Sequence, residues 1–255
     1  LAARGALRVG AGAVTVAPQP SALQENAARL DAIMLRAVAD AAALTEALQA
    51  RRYDVVALGM GLGVGERARE MTLAALASGA ACVLDADALT SFAEQPEALF
   101  DALGPRAVLT PHAAEFARLF PDLGEALAAP ALEGPALSKA DAAMEASRRA
   151  GCTVILKGPD TVIAEASRLA EVAPVRGAAR APWLATAGSG DVLAGIVAGL
   201  MARGFKAFDA ASAGVWLHAR AARVFGPGLI AEDLPDTLPD VFALLEAGRI
   251  EPDPL

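Results

Sequence analysis

Cysteine is scarce in this 255-residue chain, and aromatic side chains are scarcer than in an ordinary globular protein. The two cysteines, Cys82 and Cys152, lie far apart, each in an apolar, strand-like run, with no metal-ligand spacing between them. They read as small buried hydrophobes without a disulfide framework, so a reducing cytoplasm is the expected compartment. Aromatics make up 4% of a chain that is 55% hydrophobic, which calls for an aliphatic, alanine-rich core of helices packed on a sheet. No apolar run reaches the ~18 residues of a membrane-spanning helix; the longest, Val192 to Ala202, stops at Arg203. A secretory n-region and cleavage pattern are missing too. Basic charge is in short supply, and a net charge of −8 argues against nucleic acid or an anionic membrane as a partner. A phosphate ligand stays open, because local amides and one or two cations suffice to hold it.

Two nucleotide signatures are also absent. Gly59-Met60-Gly61 leads to Val64 where GxGxxG needs a glycine, and Gly10-Ala11-Gly12 leads to Thr15. No GxxxxGK[ST] string occurs. A P-loop enzyme is therefore excluded, and the pattern argues against a conventional Rossmann dehydrogenase.

What the chain does have is alternation. Short apolar runs at Ala13 to Ala17, Asp54 to Leu58, Cys82 to Leu84, Ala107 to Leu109, Thr153 to Leu156 and Thr161 to Ala164 read as strands. Helical periodicity covers Leu1 to Val9, Asn26 to Arg51, Glu66 to Ser78, Pro96 to Leu103 and Ala113 to Leu119. It resumes from a Ser138 cap through Arg149, then at Val192 to Ala202, Phe208 to Phe225 and Asp236 to Leu245. Pro121 to Pro135 reads as an irregular surface excursion, and Glu165 to Pro182 as an edge strand and a loop. With no linker or repeat, the pattern predicts one α/β domain with a parallel sheet covered on both faces. Ligands in such sheets bind beyond the carboxyl ends of the strands.

Polar clusters fall at those ends: Gly59 to Gly63, Asp85 and Asp87, His112 and Glu115, and Lys157 to Thr161. His112 is read either as a helix cap or as a partner for a substrate hydroxyl or phosphate. Glu115, three residues on, holds a metal-bound water or makes a structural contact. Lys157 ends an apolar strand where lysine is otherwise rare, and is either a point charge for a phosphate or a solvated hairpin charge. Asp85 and Asp87 are read as turn caps before a role with magnesium or a ribose, and His218 as a packed helical histidine. Gly188-Ser189-Gly190-Asp191 precedes the apolar run from Val192, so it enters a helix N-terminus with unpaired N–H groups and a positive dipole end. Asp191 stands where a carboxylate would take a proton from an alcohol attacking a phosphoryl group. Its plainer reading is a favourable first-turn charge.

Taken in order, GAGAVTV (Gly10 to Val16), GMGLG (Gly59 to Gly63), DADAL (Asp85 to Leu89), TPHAAEF (Thr110 to Phe116), LKGPDTVI (Leu156 to Ile163) and WLATAGSGDVLAGIVAGL (Trp183 to Leu200) closely resemble the ADP- or ATP-dependent NAD(P)H-hydrate dehydratases. The resemblance runs over nearly the whole chain. It implies a ribokinase-like, three-layer α/β/α fold with a mostly parallel central sheet, in one domain over residues 1–255 whose first strand precedes Leu1 and is missing. It implies dehydration of (S)-NAD(P)H hydrate by phosphorylation of the ring hydroxyl and loss of phosphate, with Asp191 as the base. The hydrate would lie near Ala11, Gly61, His112 and Asp191. The adenine nucleotide would lie near Lys157, Gly158, Pro159, Asp160 and Thr161 and near Gly188, Ser189 and Gly190. Mg2+ accompanies the ADP or ATP donor, with Glu115 reaching it through water. A homo-oligomer and an epimerase domain, fused or separately encoded, are the implied partners. Ala114 and Ala187 depart from glycines common in the family. A ribokinase-like small-molecule kinase and a non-catalytic module binding adenine nucleotide or NAD(P) are the competing readings.

Overall fold

Runs of Val, Leu, Ile and Cys free of glycine and proline become strands here, and the alanine-rich stretches between them become helices. A computed structural model describes residues 1–129, 137–166, 168–173 and 181–249. The chain starts with α1 (Ala2–Arg8), β1 (Thr15–Val16), α2 (Leu23–Ala27), β2 (Met34–Leu35) and α3 (Ala41–Ala50). Then follow β3 (Val55–Leu58), α4 (Glu66–Ala77), β4 (Ala81–Leu84), α5 (Asp87–Thr90), α6 (Pro96–Phe100), β5 (Ala107–Leu109), α7 (Ala113–Leu119), α8 (Pro121–Ala128) and α9 (Lys139–Ala150). The rest is β6 (Thr153–Leu156), β7 (Thr161–Glu165), β8 (Arg168–Ala173), α10 (Ser189–Ala202), α11 (Ala207–Phe225) and α12 (Asp233–Glu246).

Strands β3 to β8 lie side by side in sequence order, β3 to β6 parallel, β7 antiparallel to β6, and β8 antiparallel to β7. Each parallel crossover keeps one hand, so its helices collect on one face. Side-chain alternation splits the core accordingly. Val83, Val108, Ile155 and Ile163 face α10 and α11, while Cys82, Leu84, Leu109, Val154 and Leu156 face α4, α7 and α9. The expected three-layer α/β/α architecture is borne out. Both cysteines are buried and free, and burial pushes the Cys82 thiol up to about 11 and the Cys152 thiol higher still. They are packing residues. No helix among the described residues is long and apolar enough to cross a membrane.

Helix α10 is apolar around most of its circumference, and every residue from Val192 to Met201 is buried. That is the pattern of a helix enclosed on all sides. The sheet and α11 cover one side; α1 covers the other at backbone contact, permitted by glycines. A methyl on Gly195 would stand 2.0 Å from the Ala2 carbonyl oxygen, and one on Gly199 2.6 Å from that of Ala6.

The sheet is divided. Among the described residues strands β1 and β2 pair only with each other. Among the described residues no strand pairs with the outer edge of β3, whose four apolar residues are only half-buried. Between the two sheets runs a cavity of about 690 Å3, walled by Ala13 to Ala17 on one side and Val55 to Leu58 on the other.

Three local expectations change. Asn26 to Arg51 is not one helix: α2 ends at Ala27, β2 follows, and α3 starts at a new cap where Asp40 accepts from the Ala43 N–H at 2.9 Å. The apolar spacing suits a helix, but Met34 and Arg36 donate instead to the carbonyls of Val14 and Val16. Pro121 to Ala128, expected to be irregular, is α8, with Pro121 in its first turn and Leu123 buried; residues 130–136 of that stretch lie outside the described residues. The edge strand expected after Glu165 is β8, and residues 174–180 of that stretch lie outside the described residues.

Glycine-to-alanine changes inside an unobstructed helix gain about 1 kcal/mol from propensity. At Gly195 the contact with Ala2 reverses the sign: Gly195→Ala is expected to lose about 1–3 kcal/mol through overpacking. A lowered thermal midpoint in calorimetry is the expected reading, and a raised one would refute backbone contact between α1 and α10.

Candidate functional site

The chemistry collects where the strands end. Asp85 follows β4 and is 1% exposed, a position where a carboxylate needs a partner. It has one across the sheet: Lys157, at the end of β6, donates from Nζ to Asp85 Oδ1 at 2.7 Å. The Lys157 backbone is held by its own N–H, which donates to Pro111 O at 2.9 Å. Asp87 reaches the other way, its Oδ2 accepting from the Gly63 N–H at 2.8 Å and tying the GMGLG turn to α5. Both aspartates, expected as turn caps, instead join separate strand ends through their side chains. Ala86 between them has φ 48° and ψ −117°, a strained geometry for a residue with a Cβ.

The N-terminus of α10 faces this pair. Gly188 turns the chain with φ +85°, and Ser189 Oγ donates to Leu184 O at 2.8 Å, so the hydroxyl holds the loop. No side chain caps the helix. Among the described residues the Gly190 and Asp191 N–H groups have no acceptor, which leaves two donors and the dipole end for an anion. A side chain on Gly190 would meet the Lys157 ammonium at 3.2 Å. Asp191 is half-buried, and burial and then the Asp85 charge hold its carboxyl above the usual range, against the opposing Lys157 ammonium.

The remaining expected residues divide into three groups. Ala11, Gly61 and Asp191 line the cavity beside β3 together. His112 and Glu115 sit at the end of β5 outside that lining, in a reciprocal cap. His112 Nδ1 accepts from the N–H groups of Ala114 and Glu115 at 3.1 and 3.3 Å, and Glu115 Oε2 accepts from the His112 N–H at 2.8 Å. Glu115 Oε1 is 3.3 Å from His112 Nε2, so both oxygens of this buried carboxylate are engaged. Lys157, Gly158, Pro159, Asp160 and Thr161 form the β6–β7 turn, with Thr161 Oγ1 donating to Gly158 O at 3.5 Å.

Sequence reasoning missed Lys139. From the first turn of α9 its ammonium donates to the Lys157 carbonyl at 3.4 Å and to the Asp160 carbonyl, and lies 3.3 Å from Asp160 Oδ1. Its rarity was the available signal, since only Lys139, Lys157 and Lys206 occur. His218 is buried in α11. Burial pulls it down to about 4, with the Ser189 backbone opposing, so its ring is neutral behind the anion-facing loop.

Such a site can hold a phosphoryl group on two amides and an ammonium beside a carboxylate able to take a proton. Comparisons with known proteins agree with that chemistry. A family model described as NAD(P)H-hydrate dehydratase matches residues 1–240. The Gloeobacter violaceus bifunctional NAD(P)H-hydrate repair enzyme Nnr is 38% identical over 225 residues, 87% of this chain and 41% of that protein. The ADP-dependent (S)-NAD(P)H-hydrate dehydratase of Neisseria meningitidis is 41% identical over 181 residues, 69% of this chain and 57% of that one. The chain thus spans well under two thirds of these relatives. The crystal structure of the Bacillus subtilis ADP/ATP-dependent NAD(P)H-hydrate dehydratase, co-crystallized with ATP and Mg2+, superposes with a TM-score of 0.72 at 24% identity, over 95% of this chain and 82% of that one. The fold is ribokinase-like.

A raised native pKa means the folded state keeps the Asp191 proton to higher pH than the unfolded chain does. Ionised Asp191 therefore costs stability above its native pKa, and the cost fades as pH falls through that value. Asp191→Asn is expected to raise the thermal midpoint at pH 7, with a gain that shrinks toward pH 4. Melting curves across that range check the sign.

Proposed function

The chain belongs to the NAD(P)H-hydrate dehydratase family, and on that premise we propose that it returns (S)-NAD(P)H hydrates to NADH and NADPH with ADP or ATP as phosphoryl donor. The observation that carries the reading is the convergence of Asp191, the free amides of Gly190 and Asp191, and the Lys157 ammonium at one helix end.

The hydrate bears a hydroxyl on its reduced nicotinamide ring, and hydroxide leaves poorly. Asp191 orients that hydroxyl and accepts its proton while the oxygen bonds to the donor's terminal phosphorus and the phosphorus–bridging-oxygen bond breaks. The ring C–O bond then breaks, phosphate departs, and loss of a ring proton restores the double bond. A carboxylate is a modest base, which is tolerable when phosphoryl transfer is loose and the proton leaves late. Its raised pKa moves it in the useful direction. The Gly190 and Asp191 amides and Lys157 stabilise charge on the transferred group.

Ala11 and Gly61 support a ring site in the cavity beside Asp191. His112 would reach the hydrate from the β5 end, and the Lys157 to Thr161 turn, with Gly188 and Ser189, would carry the nucleotide. Mg2+ would come in on the phosphate oxygens of the donor and water. Glu115, its oxygens engaged by His112, fits a water-mediated contact with that ion, which when bound neutralises charge on the phosphates. We further read the chain as a cytoplasmic homo-oligomer working with an epimerase, fused or separate. Exposed Trp183, Phe205, Phe225 and Ile230 are surface that self-association would cover.

With NADH hydrate, Mg2+ and ADP or ATP, the full-length protein is expected to regenerate reduced-nicotinamide absorbance and release inorganic phosphate. Asp191→Asn is expected to lower kcat by about 100- to 10,000-fold, the usual weight of a positioned base. Near-wild-type turnover in that variant would remove Asp191 as the base, and accumulation of a stable phosphorylated product would identify a kinase instead.

A further inference from the structure

The Lys157 ammonium lies against the positive end of α10, where a cation is electrostatically misplaced. A methyl on Gly190 would be only 3.2 Å from Nζ. What compensates is Asp85, paired with Nζ at 2.7 Å and itself buried. We propose that Asp85 is a positioning residue for phosphoryl transfer: it holds the Lys157 ammonium at the first turn of α10 while the site is empty and yields it to the donor's phosphate. The proposal rests on the phosphoryl-transfer reading above and assigns a role that reading does not contain.

Asp85 cannot follow the lysine. Its N–H donates to Leu58 O at 3.1 Å, and its carbonyl oxygen would be 1.7 Å from a methyl on Gly59, so the β3 and β4 ends are locked together there. The lysine can move. Its backbone is fixed by Pro111 on one side and Lys139 on the other, but four methylenes separate that anchor from Nζ. A phosphate on the Gly190 and Asp191 amides would present two or more negative oxygens beside the ammonium, against the single charge of Asp85. Transfer of the ammonium from carboxylate to phosphate follows.

The exchange also acts on the base. The groups acting on Asp191 are Asp85 and Asp87 from the β4 end and Lys157 from β6, while neutral His218 lies behind Ser189 in α11. Asp85 and Asp87 hold the Asp191 proton; Lys157 opposes them. Once Lys157 turns to the phosphate, Asp85 acts on Asp191 without its counter-ion. Asp191 becomes a stronger base when the donor is bound.

The test is Asp85→Asn, Lys157→Met and the double variant in the full-length protein, with ADP affinity by calorimetry and kcat by NADH recovery. Asp85→Asn releases the ammonium, so ADP should bind about 3- to 10-fold tighter while kcat falls about 10- to 100-fold, a split that a merely damaged fold would not produce. The acid limb of its pH–rate profile should move to lower pH, because the charge that raises Asp191 is gone. Lys157→Met should weaken ADP about 10- to 100-fold. In that background Asp85→Asn should cost less kcat than it does alone, since the lysine it positions is absent and only its charge on Asp191 is left to lose. The double variant carries no unpaired buried charge, so it separates function from folding if Asp85→Asn alone unfolds. ADP binding weakened by Asp85→Asn, or kcat losses that multiply in the double variant, would overturn the proposal. If the unaltered protein restores no NADH, the dehydratase reading fails, and the ADP affinities still decide the role of Asp85.

Discussion

Everything at the candidate site depends on the burial of α10. A helix with apolar residues around most of its circumference must be enclosed, and here the sheet, α11 and α1 enclose it. Enclosure withdraws the helix from solvent but leaves its N-terminal amides open at the strand ends, because neither Gly188 nor Ser189 caps them. Two unpaired donors at a fixed dipole end make an anion site whose direction is set by packing. The glycines of α10 belong to the same constraint. They let α1 approach at backbone distance, which keeps the helix axis from shifting away from the sheet.

The charges are arranged against local comfort. A carboxylate half-buried near a second carboxylate, an ammonium beside a positive helix end, and a non-glycine residue at φ 48° each raise the energy of the folded state. They sit within one small region, and the extensive apolar layers on both faces of the sheet tolerate them. Local rules are commonly broken at functional sites, where strain and unmatched charge are held for use. Asp85 is the common member: it pairs with Lys157, raises Asp191, and anchors the turn that carries Ala86.

The strand-end clusters were legible because β strands buried on both faces leave polar residues only where they stop. The glycine loop and its aspartate were legible for the same reason, as a polar interruption before an apolar helix. Long-range pairing was not. The Asn26 to Arg51 stretch has helical spacing, yet Met34 and Arg36 find strand partners in Val14 and Val16, a choice made across the fold. Asp85 looked like a turn cap because its partner is 72 positions away in sequence. Lys139 looked like an ordinary first-turn helix residue, because nothing local shows that α9 begins beside the β6–β7 turn.

The order of short apolar runs and periodic segments alone determined that the chain forms a layered α/β sheet, with its chemistry on the carboxyl edge. Those features depend on side-chain polarity at fixed spacing, which is a local property of the chain. Its motif order determined the family as well. Tertiary structure alone decided which charges meet: Asp85 with Lys157, Lys139 with the β6–β7 turn, Asp191 with both carboxylate and ammonium. It also decided that, among the described residues, β1 and β2 pair apart from β3 across a cavity. Coulombic pairing and edge pairing act through space between distant segments, and no spacing along the chain encodes the distance at which those segments come to rest.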